Sequence, residues 1–574
     1  MLIVDKTTIA EFLIERIKDF PKIGGLALEN YIEIPPLEIN YTYAYPCFPL
    51  AKIRKKDPNL IAKNLERELT IPDYLDEIKA VGPYLNFRVK SDIVLENIYN
   101  LEENYGKIRE YLKKEKSKSE KIVIEYPSPN TNKPLHLGHV RNMLIGFTLS
   151  NLFKYKDHNV FQVNLNNDRG IHICKSMLAY QQWGNNTKPN KKSDHFVGDF
   201  YVKYNQMVQK NDKLEEESKK ILKLWEDKDP QIRALWRKMN KWALDGFNET
   251  YNKFGISFDK VYNESEFYWK GKKLILKNLD NPNIIKQNDG AIVAKLEAKE
   301  NLPDKILLRS DGTSIYITQD IYLAYLKKQD FEYDKSIYIV GNEQDLYFKQ
   351  LFAVLDMIGF KEDKYHLSYG MISLPEGKMK SREGTTVDAD DIIEEMENLA
   401  FEEVNERYPE LSKKEKSYRA KSIGMAALKF FILKYNPKSD FIFNPKESIS
   451  FEGETGPYIQ YCFARIQSIF NKSEEKIDLA INYKLLSHEK EIKLIKQLNI
   501  FPEIIGTALR IYGIHLIPQY LLTLCQLFNS FYSECQVISE NRELEKARLL
   551  LIKCVQIVIK IGLNILGIET LDEM

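Results

Sequence analysis

The change from strand-like to helix-like sequence that begins at residue 122 constrains the fold of this chain most. Residues 122–124 read Ile-Val-Ile, a short apolar run typical of a buried strand, and a helical pattern follows that extends to Leu152. Between them, residues 125–141 read EYPSPNTNKPLHLGHVR. In a doubly wound α/β domain such a turn binds nucleotides, because the helix N-terminus presents free N–H groups and the positive end of its dipole to phosphate.

Two histidines lie near the end of this segment. His136 and His139 are three residues apart, so both imidazoles share one face if the residues are helical. Gly138 lies between them and leaves room for a flat base against the backbone. A helix cap or a metal-binding pair would also explain the histidines. The usual helical metal pair has histidines at i and i+4 with a Glu between them, and that pattern is absent.

Composition narrows the class of protein. A chain of 574 residues is too long for one core, and its 83 Lys and Arg balance 82 Asp and Glu. The six cysteines form no C-x-x-C pair, which is typical of a reduced protein without disulfides or a zinc site. No apolar run reaches about 18 residues, and the first residues lack the basic region and cleavage site of a secretory signal. We therefore expect a cytoplasmic protein without a membrane span.

Periodicity predicts three units. Residues 1–115 mix helix and strand, and the middle unit, 116–395, alternates strands and helices in the manner of a Rossmann-type, doubly wound parallel sheet. Within it, about 200–253 is dense in Lys and Glu and is interpreted as a helical insertion. Residues 396–574 are helix-periodic throughout, with a core at 450–574. The fold class is thus a multidomain α/β protein with an α+β first unit and an all-α last unit.

A second motif, PEGKMKSREGTTV, follows a strand-like run and precedes a helix that starts near Asp388. A short basic loop between glycines is suited to move and to touch phosphate. Read alone, it is better explained as a solvated basic surface loop. Its central residues are Lys378, Met379, Lys380 and Ser381.

The two motifs together resemble those of the class I aminoacyl-tRNA synthetases. HLGH is similar to their HIGH signature, and KMKSR stands in the place of their KMSKS loop. The longer forms SPNTNKPLHLGHVRN and GETGPYIQYCFARIQSI, with the ending LGIETLDEM, resemble the arginyl-tRNA synthetases in particular. The resemblance extends over essentially the whole chain.

This resemblance implies ATP-dependent ligation of L-arginine to tRNA(Arg) through an arginyl-adenylate, with Mg²⁺ accompanying ATP and no protein metal site. It places ATP between the two motifs, against His136, Gly138, His139 and the loop residues from Lys378 to Ser381. The arginine carboxylate is already ionised and needs no base, so we interpret the histidines as hydrogen-bond donors to the transition state.

One position departs from the family pattern. The KMSKS loop has a second lysine where this chain has Ser381, and many arginyl-tRNA synthetases with that loss carry a lysine upstream of the HIGH signature. Lys133 stands there in this chain. An ammonium group is a compact point charge, so our hypothesis is that Lys133 supplies the charge that Ser381 cannot.

Arginine selection needs a carboxylate held against a planar guanidinium. Tyr316 and Asp320 are four residues apart, hence on one face of a helix, and match family residues that hold the guanidinium. Glu125, Asn130 and Gln344 match others that contact the substrate. An ordinary structural role remains the alternative for each of them.

The resemblance also implies that the first unit grips the tRNA and that the helical last unit reads the anticodon. Unpaired bases are recognised by stacking and edge hydrogen bonds, which makes Tyr458, Tyr461 and Met574 the tRNA-binding candidates. Helix packing explains each of the three equally well. A monomer is expected.

Three rival interpretations remain. Another class I synthetase, such as the cysteine enzyme, would need a zinc site that the cysteine pattern does not offer. A non-synthetase adenylyltransferase would have no use for a helical last third. A catalytically inactive tRNA-binding protein would not need the intact HLGH, Lys378 and Asp320.

Overall fold

The structure, a computed structural model, describes residues 3–21, 28–107, 119–375 and 387–574. By its internal contacts the chain forms two compact units. One unit joins the residues up to 118 with residues 448–574, and the other contains residues 119–447. The predicted boundaries near 115 and 395 stay predictions.

A three-stranded antiparallel sheet with flanking helices forms the N-terminal part of the first unit. Its elements are α1 (Lys6–Arg16), β1 (Tyr43–Pro46), α2 (Phe48–Arg54), α3 (Pro58–Glu68), β2 (Leu75–Val81), β3 (Tyr84–Val89) and α4 (Ser91–Leu101). The strand order is β1-β3-β2. Gly82, with φ of +59°, makes the tight turn between β2 and β3. The α+β class predicted for this part is confirmed.

The second unit contains most of the strands. They are β4 (Lys121–Glu125), β5 (Asn159–Asn166), β6 (Lys260–Asn263), β7 (Ile284–Lys286), β8 (Ile292–Ala294), β9 (Lys305–Leu308), β10 (Lys335–Gly341), β11 (Asp363–Tyr369), β12 (Ile372–Ser373) and β13 (Phe441–Ile442). Its helices are α5 (Leu137–Tyr155), α6 (Ile171–Trp183), α7 (Ser193–Val208), α8 (Lys213–Glu226), α9 (Pro230–Phe254), α10 (Lys270–Leu276), α11 (Tyr316–Phe331), α12 (Asp345–Met357), α13 (Ala389–Arg407) and α14 (Lys413–Leu433), with single helical turns at Glu297–Glu300 and Pro445–Ser448.

The central sheet is parallel and has the order β11-β10-β4-β5-β6. The chain runs outward from β4 through β5 to β6 and then returns to place β10 on the other side of β4. This reversal is the topological switch point where doubly wound domains bind ligands, at the carboxyl ends of the strands. Ile122, Val123 and Ile124 are fully buried, as expected for a central parallel strand covered on both faces. The predicted Rossmann-type sheet is confirmed.

Helices α7, α8 and α9 cover the stretch that the charge pattern marks as an insertion. Its tryptophan stripe packs inward. Trp225 is 1% exposed and makes an edge contact with Trp236, and both belong to one hydrophobic cluster with Met239.

Five helices complete the first unit: α15 (Gly456–Lys472), α16 (Glu489–Asn499), α17 (Phe501–Arg510), α18 (Leu516–Glu534) and α19 (Arg542–Leu566). The predicted all-α class is confirmed here. The sequence predicts that Pro518 breaks or kinks a helix begun at Arg510. In the structure the break comes earlier, since α17 ends at Arg510 and α18 begins at Leu516. Pro518 therefore lies in a first turn, where its missing N–H is not needed.

Helix α19 is long and apolar enough to cross a membrane, although the sequence shows no uninterrupted apolar run of that length. In the structure, 78% of its most apolar window is buried. It packs against α4, where the Cys554 thiol donates to the Leu95 carbonyl at 3.5 Å. The apolar character of α19 thus serves the core of its own unit.

A Gly271→Ala substitution tests the packing of α10 on α11. A Cβ atom at Gly271 would lie 2.1 Å from the Thr318 carbonyl oxygen, a backbone atom that cannot move aside. We expect the substitution to lower the free energy of unfolding by about 1–3 kcal/mol, measured as a lower Tm. Gly506→Ala, on α17, is the control because a Cβ there meets nothing within 4 Å. An equal Tm for the two variants would contradict this packing.

Candidate active site

The predicted site residues of the second unit meet at the carboxyl edge of the sheet, around the switch point between β4 and β10. Glu125 is the last residue of β4 and lies opposite Tyr338 of β10 and Val163 of β5. Helix α5 starts beyond it, and Gln344 follows β10 as the residue before α12. Tyr316 and Asp320 occupy the first turns of α11.

The two histidines form the start of α5 rather than one helical face. His136 is the N-cap residue with extended backbone, and its Nδ1 accepts a hydrogen bond from the Gly138 N–H at 3.2 Å. The His136 N–H in turn donates to Nδ1 of His139 at 3.1 Å. The ring centroids are 3.9 Å apart. The cap considered from the sequence is therefore present, and it orients both rings.

These contacts fix the protonation of the imidazoles. Because each Nδ1 accepts, each neutral ring carries its proton on Nε2, which remains a donor. Burial, with the nearby charge of Lys133, lowers the pKa of His136 to about 4. Burial also holds the pKa of His139 well below its usual range. Both rings are neutral Nε2–H donors at pH 7, the form needed to donate to an anionic oxygen without acting as bases.

The last residue of the second motif, Val387, and the two residues after it lie directly beside the histidines. The Leu137 N–H donates to the Val387 carbonyl and the Ala389 N–H to the Leu135 carbonyl, each at 2.8 Å. His136 and Asp388 are thus paired as in an antiparallel bridge. Lys378, Met379, Lys380 and Ser381 lie outside the described residues.

A buried arginine joins α5 to the segment that precedes the second motif. Arg141 is 1% exposed and donates to the carbonyls of Gly370 at 2.6 Å and Met371 at 3.0 Å. It also donates to Pro437 and Ser439 at 2.9 and 2.7 Å. Sequence reasoning missed this residue because its acceptors are backbone groups from distant parts of the chain.

Lys133 lies in the turn before His136 and is only partly exposed. Among the described residues it makes no ion pair or hydrogen bond, yet its charge lowers the pKa of His136 and of His139. An ammonium group close to both imidazoles without a carboxylate partner is suited to a phosphate.

Asp320 is the most perturbed carboxyl group of the site. It accepts a hydrogen bond from the Tyr347 hydroxyl. Burial raises its pKa to about 7, and the charge of Glu125 adds to the increase, whereas Tyr347 and Lys327 oppose it. A carboxyl group poised in this way is typical of a functional site.

The remaining arginine-site predictions have different surroundings. Tyr316 is 70% exposed, and the side chains of Asn130 and Gln344 are also exposed. Asn130 forms a backbone bridge with Asn167. The structure places all three at the same sheet edge, and within the described ranges none of these side chains forms a hydrogen bond, although Tyr316 interacts electrostatically with Glu264 and Arg169.

Glu125 has a partner that sequence reasoning missed. Lys327, which is completely buried, donates to Glu125 Oε2 at 2.7 Å and to the Ser336 hydroxyl at 3.3 Å. Lys327 is seven residues, or two helical turns, after Asp320 on α11, and this spacing could have indicated from the sequence that both lie on one face of the helix. A second missed group is Glu264, paired with Arg169 at 3.4 Å, where burial raises the pKa to about 7.

One cluster has the spacing of a metal site. Asp194, His195 and Asp390 place their ligand atoms within 4.8 Å of one another. Two ammonium groups already contact it, since Lys192 lies 2.8 Å from both carboxylates and Lys253 lies 3.1 Å from Asp390. The two ammonium groups neutralise the carboxylates that a metal ion would need as ligands. The cluster therefore does not fit a bound metal.

The tRNA-binding candidates lie in the first unit. The Tyr458 hydroxyl accepts from the Asn529 amide at 2.8 Å, and the Arg465 guanidinium lies 5.0 Å from the centroid of the Tyr461 ring. Met574 is 8% exposed. The two tyrosines therefore keep part of their surface accessible, whereas Met574 is largely covered in the free chain.

Three family models match this chain. The catalytic domain of class I (R) tRNA synthetases matches residues 104–445, the DALR anticodon binding domain matches 459–574, and the arginyl tRNA synthetase N-terminal domain matches 6–89.

Relatives and solved structures agree with these models. The arginine–tRNA ligase of Treponema denticola is 44% identical, with 96% of this chain and 98% of that protein covered. That of Parabacteroides distasonis is 41% identical, with 92% of each covered. The fold is similar to Thermus thermophilus arginyl-tRNA synthetase, with a TM-score of 0.82 at 25% identity over 99% of this chain and 100% of that one.

A Gly138→Ala substitution tests the geometry of the histidine pair. A Cβ atom there would lie 3.0 Å from Cε1 and 3.1 Å from Nδ1 of His136 and would push the capping ring aside. We expect affinity for ATP to fall about tenfold, the loss of roughly one neutral hydrogen bond, measured by equilibrium titration. Gly506→Ala is again the matched control. Unchanged ATP affinity in Gly138→Ala would mean that the ring orientation does not matter.

Proposed function

The chain belongs to the arginyl-tRNA synthetases, and we propose that the edge of its parallel sheet binds ATP and arginine through the residues described above. Its function is the ATP-dependent ligation of L-arginine to tRNA(Arg). In the first step the arginine carboxylate attacks the α-phosphorus of ATP and expels pyrophosphate. In the second, a terminal ribose hydroxyl of the tRNA attacks the adenylate and AMP leaves.

The pairing of His136 with Asp388 is the observation that carries the ATP part of the proposal. It brings Val387 and Asp388, which follow the KMKSR loop in sequence, to the histidines, although the two segments are far apart in the chain. ATP then lies between them, with Gly138 against the base and His136 and His139 donating from Nε2 to the phosphates. Lys378, Met379, Lys380 and Ser381 complete the proposed ATP site, and Mg²⁺ accompanies the nucleotide.

Lys133 is the proposed substitute for the lysine that the loop lacks at Ser381. Its support is the absence of an ion-pair partner among the described residues, together with its electrostatic effect on both imidazoles. Neither step of the reaction needs a covalent enzyme intermediate. Positioning and charge stabilisation are enough for an in-line phosphoryl transfer.

For arginine we propose that Asp320 receives the guanidinium and that Tyr316, Glu125, Asn130 and Gln344 contact other parts of the substrate. A guanidinium remains protonated at every pH of interest, so Asp320 must be ionised to bind it. Sites that depend on such buried polar pairing reject amino acids that lack the matching group by about 10⁴ or more. Lysine carries a single ammonium group in place of the planar guanidinium, so we expect the site to reject it.

The wider assignments rest on the family. We propose that the N-terminal part grips tRNA and that the helical C-terminal part reads the anticodon, with Tyr458, Tyr461 and Met574 as candidates. We also propose that the enzyme acts as a cytoplasmic monomer. The six cysteines, all buried and unpaired, are compatible with a reducing compartment.

ATP–pyrophosphate exchange across the amino acids, with and without tRNA(Arg), tests the function. We expect arginine to be the only amino acid that supports exchange, and we expect this exchange to require tRNA(Arg). Asp320→Asn should raise KM for arginine by more than tenfold and leave KM for ATP within about twofold, because the amide cannot pair with the guanidinium charge. Gln344→Ala, at an exposed position, should raise KM for arginine less than Asp320→Asn does. Exchange with another amino acid would contradict the specificity.

Lys133→Ala tests the replaced charge. The loss of one charge-assisted contact to phosphate costs about 1.5–3 kcal/mol, so we expect the rate of arginine activation to fall by about 10- to 100-fold. Lys175→Ala, on α6, serves as a control for loss of a nearby lysine. Activation within a few-fold of wild type for Lys133→Ala would remove this residue from the mechanism.

A further inference from the structure

We propose that Lys327 is a positioning residue that neutralises Glu125 and thereby leaves Asp320 as the one uncompensated carboxylate for the substrate guanidinium. This inference rests on the proposed arginine site. It assigns to the enzyme a built-in ammonium group that sets the charge of its amino-acid pocket.

The geometry around Lys327 is that of a fixed internal cation. Its side chain has no exposed surface, and its Nζ lies 2.7 Å from Glu125 Oε2 and 3.8 Å from the centroid of the Tyr338 ring. The third neighbour is the Ser336 hydroxyl at 3.3 Å. A carboxylate, a ring face and a hydroxyl together satisfy a buried ammonium.

The position of Lys327 connects the two acidic groups of the pocket. It lies on α11 two turns beyond Asp320, and it reaches across to the end of β4, where Glu125 stands opposite Tyr338 of β10. Lys327 donates a hydrogen bond to Oε2 of Glu125, whereas no group in the described ranges donates to Oε1. One oxygen of Glu125 therefore remains available to the substrate, in an orientation that Lys327 holds.

Charge matching explains why such a lysine is useful. Glu125 and Asp320 act on each other electrostatically, so a pocket with both ionised and no cation would carry two negative charges. With Lys327 the three groups together carry a single negative charge, which balances the single positive charge of one guanidinium. The pocket then binds one cationic side chain without a second counter-ion.

Lys327 should also control the pH at which the pocket becomes competent. Glu125 and Lys327 act on Asp320 with opposite sign, and the Tyr347 hydroxyl bonds to it. Tyr316, Tyr338 and Glu264 are further titratable groups that interact with Asp320, and Glu264 is itself paired with Arg169. Since the guanidinium needs the ionised form, KM for arginine should fall as pH rises through about 7. Without Lys327, ionisation of Asp320 requires a higher pH.

The test is the pH profile of KM for arginine in tRNA-dependent ATP–pyrophosphate exchange by the full chain. In Lys327→Met the midpoint should move up by about one pH unit. At pH 7 the ionised fraction then falls from about one half to about one tenth, so KM for arginine rises about fivefold. KM for ATP should stay within about twofold, because His136 and Lys133 do not contact this pair.

Three further variants separate positioning from folding. Lys327→Arg keeps the charge and should restore the midpoint. Glu125→Gln combined with Lys327→Met removes both opposing charges and should return the midpoint close to wild type, while avoiding an unpaired buried carboxylate if the single variant folds poorly. Lys328→Met is the matched control, since this neighbouring lysine pairs with Glu362 at 2.9 Å instead.

The outcomes are distinguishable. An unchanged midpoint in Lys327→Met, or equal changes in KM for arginine and ATP, would overturn the role of Lys327. If Asp320→Asn leaves KM for arginine unchanged, the arginine site itself is wrong. If Asp320→Asn raises KM for arginine while Lys327→Met keeps the wild-type midpoint, or while the double variant moves the midpoint as far as Lys327→Met does, the arginine site stands and only the role of Lys327 fails.

Discussion

The reversal of strand order at β4 is the constraint on which the site depends. Because β5 lies on one side of β4 and β10 on the other, the loops after β4 and β10 diverge and leave a crevice at the carboxyl edge. This arrangement explains why Glu125, the start of α5 and the residues before α12 all lie around the crevice. The proposed ATP and arginine portions of the site are therefore neighbours because of the strand order.

Within that crevice the protein prepares two kinds of electrostatic environment. Around α5, imidazoles kept neutral by burial present N–H donors, and Lys133 adds a positive charge, all suited to an anionic phosphate. Around α11, the carboxyl groups of Asp320 and Glu125 are suited to a cationic side chain, and in our proposal Lys327 limits their combined charge. In the proposed site the two substrates would therefore meet electrostatic fields of opposite sign, and this difference would favour one orientation of arginine toward the α-phosphate.

The sequence predicted those structural features that depend on interactions between residues close together in the chain. The strand at 122–124, the start of α5 near His136 and the joint placement of Tyr316 and Asp320 follow from periodicity and helix-end chemistry, and the structure contains them. The position of the break before α18 was less well predicted, since Pro518 tolerates a first turn as readily as it ends a helix. The capping role of the histidines was among the alternatives, but their protonation was not accessible from spacing.

The sequence by itself determined the family, the parallel-sheet architecture and the residue types of the site, because these are written in short motifs and in the period of apolar residues. Only the tertiary structure decided which distant segments come into contact. The pairs His136 with Asp388, Arg141 with Gly370 and Glu125 with Lys327 join segments far apart in the chain. Such contacts depend on strand order and register, and no local pattern encodes them.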